Sequence, residues 1–391
     1  MSRKHSVRRR AFGVGALGAL VALGAPDRAF ARCDELLTAE MLDASIAAAL
    51  GYLTRSQRPE GNFVYGYDWH RREVEPDDNA VRQAGAGWAL GLAVSEGSAT
   101  ARPALERLLV FHERNAGRRD GRRFPRYPGA GSGKTGTLAL AALTYLEAWR
   151  SKVLRDRAAL DELVAQLLVM RRPEGGFFGS YDPDDGAPEG APSPYSDGEA
   201  LLALVKAARY ADRLDLLGLV VDEATSGFAR HVEGPRREAH DPDVTKAYYQ
   251  WGSLAHWELA TWSRTRHGDE HARRLLDQAQ WIIEEHRILH RSRNTGYAYE
   301  GIVPAFDVAR RRRDPRAALF ACTIERGLRK LIAWQVGGPA PNRHIRERGD
   351  GDARARGGVQ NHAREPLLRI DVTQHQLHAM MLAKRLYLPH R

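Results

Sequence analysis

The chain is 391 residues long, 28% charged and 43% hydrophobic, with a formal net charge of +10; that length suits one large domain. Half of the positive excess sits in residues 1–31, and no stretch interleaves bases with aromatics as single-strand binders do, which excludes nucleic acid as the expected partner. Only Cys33 and Cys322 are present, which excludes a Cys-rich structural zinc site and a disulfide framework and leaves either one bridge or two unpaired thiols.

Arg3, Lys4 and Arg8 to Arg10 precede an uncharged run, Ala11 to Ala25, made mostly of Ala, Gly, Leu and Val. A basic segment followed by so short an apolar run reads as a signal peptide rather than a membrane span. Ala29-Phe30-Ala31 supplies the small residues that signal peptidase accepts, which places the mature start at Arg32. Arg9-Arg10-Ala11-Phe12 resembles a twin-arginine signal, which would export the protein already folded; ordinary Sec export is the alternative. Arg32 stands where a lipobox before Cys33 would need a small residue. The expected protein is periplasmic or secreted, with no stable membrane anchor once residues 1–31 are removed.

From residue 36 onward the chain alternates two kinds of helical stretch. Leu160, Leu163, Val164, Leu167 and Leu168 recur at spacings of 3 and 4, so one face is buried and the other is wet. Leu138 to Leu143 are apolar all round, and such a helix must be enclosed. Outer helices of the first kind are expected near 36–56, 100–117, 154–172, 213–232, 269–290 and 316–336. Inner helices of the second kind fall near 79–95, 136–150, 197–210, 245–263, 300–311 and 371–387. RPEGNFVYGYD at 58–68 returns as RPEGGFFGSYD at 172–182, and a looser RRDGRRF lies between them at 118–124. The repeat defines a hairpin of outer helix, loop and inner helix. Six hairpins close into an all-α ring, an (α/α)6 toroid of about twelve helices in one domain over 32–391, because a ring gives each hairpin two neighbours to bury against. An open superhelical array would need polar capping hairpins, and none is visible. The charged, Gly- and Pro-containing segment 337–370 reads as a long loop or lid.

This arrangement resembles the six-hairpin toroids of glycoside hydrolases, polysaccharide lyases and related sugar-modifying enzymes, and its Gly-aromatic repeats are more weakly similar to those of terpenoid cyclases and protein prenyltransferases. The resemblance implies that the inner helices begin at one rim of a central cavity. Those beginnings carry Asp77-Asp78-Asn79, Lys134-Thr135, Ser196-Asp197-Gly198-Glu199, Asp243-Val244-Thr245, Glu300 and Asp371. Carboxylates and hydroxyls there also cap helices, but capping does not account for the aromatic and basic residues nearby. Tyr65, Tyr67, Arg82, Phe177, Tyr181, Tyr248, Trp251, Tyr299, His362, Asp371 and His375 are therefore the candidate substrate-binding residues for an oligo- or polysaccharide, stacking on sugar C–H faces and bonding hydroxyls. Core packing is the competing explanation for the aromatics.

Glycoside hydrolysis needs one protonated and one ionised carboxyl. Asp78, Asp197, Glu199, Asp243 and Glu300 form the pool, with Asp78 and Asp197 favoured because each opens an inner helix after a repeat loop. A uronate lyase or epimerase would need a base, for which Tyr248, His362 and His375 are candidates, and a cation, Arg82 or Arg364, to neutralise the carboxylate. Asp182-Pro183-Asp184-Asp185 matches the DxDD acid motif of terpenoid cyclases but runs into GAPEGAPSP rather than a helix, and an Asp-rich turn, with or without calcium, fits better. Asp371, His375 and His378 share a helical face without an HExxH pattern, so packing outweighs zinc, and no metal or other cofactor is expected. A non-catalytic glycan-binding or scaffold protein is the non-enzymatic reading.

Overall fold

A computed structural model describes Cys33, residues 36–349 and residues 351–391. The signal-peptide reading of 1–31 and the mature start at Arg32 lie outside the described residues. In chain order the helices are α1 (Ala39–Ser56), α2 (Ala80–Ser95), α3 (Arg102–Arg114), α4 (Thr135–Arg150), α5 (Ala158–Val169), α6 (Pro194–Tyr210), α7 (Leu217–Phe228), α8 (Gly234–Glu238), α9 (Asp243–Ala260), α10 (Gly268–Glu284), α11 (Gly296–Arg312), α12 (Ala317–Ile332), α13 (Arg343–Arg348) and α14 (Ile370–Leu382). Each of the twelve expected helices is present, with ends shifted by a few residues.

The inner helices pack in a closed circuit, α2 on α4, α4 on α6, α6 on α9, α9 on α11, α11 on α14, and α14 back on α2. Around them α3, α5, α7, α10 and α12 each cover the inner helix of the preceding hairpin, and α1 covers α14. The chain is an all-α (α/α)6 toroid. Residue character sets the two layers. In α4 the first fourteen residues, Thr135 to Ala148, are all buried, whereas α10 buries Ala272, Leu275, Leu276, Ala279 and Ile282 and leaves its other side polar. No described helix is long and apolar enough to cross a membrane.

The repeat of the sequence is a repeat of structure. Gln57 bridges to Phe63 and Arg171 to Phe177, and α2 and α6 start after Asn79 and Ser193, every pair at the same offset in the chain. The side chain of Gln83 takes the Phe63 N–H at 2.8 Å and returns a bond to its carbonyl. One repeat on, Asp197 takes the Phe177 N–H at 2.8 Å. Both residues latch a repeat loop to the helix that follows it.

Short strands, which the alternation of helices does not announce, build the rim. Gly66–Asp68 pairs with Glu73–Val74 and with Leu367–Arg369, Ala116–Arg119 with Arg122–Pro125, and Ser180–Tyr181 with Gly133–Lys134 and Pro188–Glu189. Runs of two to four residues carry too little alternation to be read from sequence. The pairing of Gly66–Asp68 with Leu367–Arg369 ties the first hairpin to the last. The expected loop 337–370 is a built strap: it contains α13, and Ala355, Val359 and Gln360 are fully buried. Cys33 and Cys322 form the bridge that the sequence left open, with Cα atoms 5.5 Å apart, fastening the described N-terminal end to α12.

Candidate active site

The N-terminal turns of α2, α4, α6 and α14 and the middle of α9 surround an open cavity of about 650 Å³. Small residues make the space. A Cβ on Gly136 would collide with the Glu199 carboxyl, and one on Gly85 would come within 2.8 Å of the Gln374 amide oxygen.

Glu199, from the second turn of α6, lies against Gly136 and is 5% exposed. It has no hydrogen-bond partner among the described residues, and burial pushes its carboxyl up to about 8. With nothing to compensate a charge taken out of water, the acid holds its proton at neutral pH. Across the sequence, α14 contributes His375, whose Nδ1 lies 2.8 Å from Glu300 Oε1. The other carboxylate oxygen of Glu300 meets His378 Nδ1 at 2.8 Å and accepts from the Gln250 amide at 2.9 Å. Burial works against the charge on Glu300, but the His378 and His375 imidazoles outweigh it and hold the carboxyl below the usual carboxylate range. Facing an ionised Glu300, the neutral form of His375 carries its proton on Nδ1 and its lone pair on Nε2. That nitrogen has no partner among the described residues.

Trp251 of α9 lines the cavity with its ring 6.2 Å from that of His375 and backed by Trp88 at 5.8 Å. Arg82 pairs with Asp371 at 3.3 Å and donates to the Tyr65 hydroxyl. Asp371 is also held on both oxygens by Arg369, at 3.0 and 3.1 Å.

Of the residues singled out from sequence, Arg82, Glu199, Trp251, Asp371 and His375 line the cavity, Glu300 lies buried behind His375, and Tyr65 stands behind Arg82. The favoured carboxylates Asp78 and Asp197 do not line it. Asp78 is exposed beside the cap of α2, accepting from Tyr127 at 2.6 Å and Gln83 at 2.7 Å. Asp197 is spent on its loop latch and on Arg230 and His231, at 3.1 and 2.7 Å. Asp243 is the exposed first residue of α9. Tyr67 donates to Asp352 at 2.7 Å and Tyr181 to the Pro125 carbonyl at 2.8 Å. Phe177, Tyr248 and Tyr299 are packed in the core, and His362 is an exposed strap residue bridged to Arg293. These aromatics wedge helices and loops together, the packing role weighed for them above.

Sequence reasoning passed over Gln250 and Gln374. Their signal was a long amide inside helices that must be enclosed, each just before a singled-out residue, Trp251 or His375. The stripe of Asp371, His375 and His378 splits: the first faces two arginines, the others share Glu300. In the Asp-rich turn, Asp184 pairs with Arg126 at 2.7 Å and Asp185 with Arg119 at 2.9 Å. Among the described residues no group of three or more His, Cys, Asp or Glu side chains is arranged to hold a metal ion.

No protein-family model matches the chain, and no curated protein matches it in sequence. Among solved structures it is similar to a D-mannose isomerase at 9% identity, with a TM-score of 0.62 over 89% of this chain and 98% of that one. A sugar epimerase from a ruminal bacterium aligns at 10% identity and a TM-score of 0.58, over 88% of this chain and 98% of that one. A GH76 α-mannanase of Bacteroides thetaiotaomicron aligns at 10% identity and 0.58, over 88% and 96%. At such identities the likeness shows the shared toroid.

Proposed function

We propose that this protein is a carbohydrate-active enzyme that moves protons on a sugar held in the inner-helix cavity. One observation carries the reading: the same cavity receives a neutral carboxyl, Glu199, and an imidazole, His375, whose Nδ1 is committed to a buried carboxylate. That is a proton donor and a proton acceptor set apart by environment, as acid–base chemistry at neutral pH requires. The solved toroids it resembles are described as an isomerase, an epimerase and a mannanase of sugars, which supports a sugar as the occupant.

In this reading a sugar lays its C–H face on Trp251. Nε2 of His375 takes the proton from a carbon beside a carbonyl or carboxyl group, and Glu300 stabilises the imidazolium that forms. The Glu199 hydroxyl bonds the oxygen on which negative charge develops. Return of a proton to carbon gives epimerisation or isomerisation; loss of the neighbouring substituent gives elimination. Glycoside hydrolysis is the second reading, with Glu199 as acid and Asp371 as the ionised partner. The commitment of Asp371 to Arg82 and Arg369 favours proton transfer. An open cavity counts against a scaffold with a filled centre, and turnover separates an enzyme from a glycan-binding protein. Export belongs to the same proposal, supported by the signal-like residues 1–31 and by the bridge between the two cysteines.

The test is turnover across a panel of aldoses, uronates and oligosaccharides. Glu199→Gln and His375→Asn should each lower kcat/KM by about 10²–10⁴-fold. Undiminished turnover in both variants would remove the assignment.

A further inference from the structure

The charges around the cavity do not balance as a neutral sugar would need. Lys134, the residue before α4, lines the cavity and is exposed, and its ammonium makes no ion pair or hydrogen bond with any described residue. Its neighbour in the wall, Arg82, shares a single carboxylate, Asp371, with Arg369. At the wall two cations, Lys134 and Arg82, thus meet one anion, Asp371, which Arg369 engages from outside the lining, while the buried Glu199 contributes no charge at neutral pH. Glu300, behind His375, is already occupied by two imidazoles and an amide.

The backbone adds to this excess. Neither α4 nor α6 has a side-chain hydrogen bond at its N-cap, and Ser193 and Ser196 present hydroxyls to the cavity with no partner among the described residues. The partial positive ends of both helices therefore lie at the cavity together with the unpaired ammonium. In a concave site an unneutralised cation gains most from an anion that displaces its water.

We propose, building on the sugar-enzyme reading, that the substrate is an acidic sugar, its anionic group bound by Lys134 with Arg82 beside it. A uronate carboxylate and a phosphate ester share the needed chemistry. For a uronate the same cation would offset the carboxylate's charge while a neighbouring proton is removed.

Calorimetric titration of the protein with D-glucuronate, D-mannuronate, D-glucose 6-phosphate, D-glucose and D-mannose tests this. The acidic sugars should bind at least tenfold more tightly than the neutral ones, and added salt should weaken only the acidic set. Lys134→Ala should bring the preference below about threefold, and Lys134→Arg should restore it. Lys134 is exposed, so folding is not at risk. Tighter binding of the uronates or of the phosphate identifies which anion the site takes. Equal affinity for acidic and neutral sugars, or a preference that survives Lys134→Ala, overturns the inference while leaving a sugar site intact. Absence of binding by all five probes counts against both.

Discussion

Glu199 shows how one carboxyl can be tuned by subtraction. No described residue donates a hydrogen bond to it, and the glycine opposite leaves room for it to sit inside the wall rather than in water. Its raised value has a thermodynamic consequence. In the unfolded chain the group titrates near 4.5, in the folded one at about 8. Its contribution to stability is fully present below the unfolded value and is lost as pH rises towards about 8, with a slope approaching ~1.4 kcal/mol per pH unit. Glu199→Gln does not titrate, so the variant should gain stability relative to the parent between these values and hold a constant difference above them. Urea unfolding at a series of pH values measures this; a difference independent of pH would show that the carboxyl is not buried as described. Sequence placed Glu199 among five carboxylates but could not rank it, because its solvation depends on Gly136, sixty-three positions earlier and on another helix.

The hairpin is the scale at which the sequence was most legible. Its helices follow from apolar periodicity, and the repeat at 58–68 and 172–182 marked equivalent loops. The same repeat explains why Asp197 was over-read. It stands where Gln83 stands one repeat earlier, and both hold a phenylalanine N–H. An amide and a carboxylate do one backbone task, so the acid at that helix start carries no chemistry of its own. Removing it would leave Arg230 and His231 without their buried counter-charge. Asp197→Ala also strands the buried Phe177 N–H and should cost about 1–3 kcal/mol in urea unfolding, whereas Asp78→Asn should leave turnover near the parent level. Loss of turnover in Asp78→Asn without loss of stability would reopen the original assignment. Short rim strands stayed hidden because their register depends on partners far away in sequence, as with Gly66–Asp68 and Leu367–Arg369.

At the scale of the whole molecule, closure produces the site. The cavity exists because α14 returns to α2 and brings His375 and Asp371 to the wall that α6 supplies with Glu199. Two devices secure that closure, the strand pairing across the seam and the bridge between Cys33 and Cys322, 289 positions apart. Replacing both cysteines by serine should lower stability by roughly 2–5 kcal/mol, read as a shift in urea midpoint that reductant reproduces in the parent; an unchanged midpoint would make the bridge ornamental. The ring could be inferred from a count of hairpins, but which side chains face its centre could not, since that depends on the rotation of each inner helix. The central claim is that this centre exchanges protons with a sugar carbon. Proton NMR of aldoses and uronates incubated with the protein in heavy water tests it most directly. Expected is deuterium at a carbon next to a carbonyl or carboxyl group, or an unsaturated product where elimination follows, both abolished by His375→Asn; sugars converted with neither, or left untouched throughout the panel, would contradict the claim.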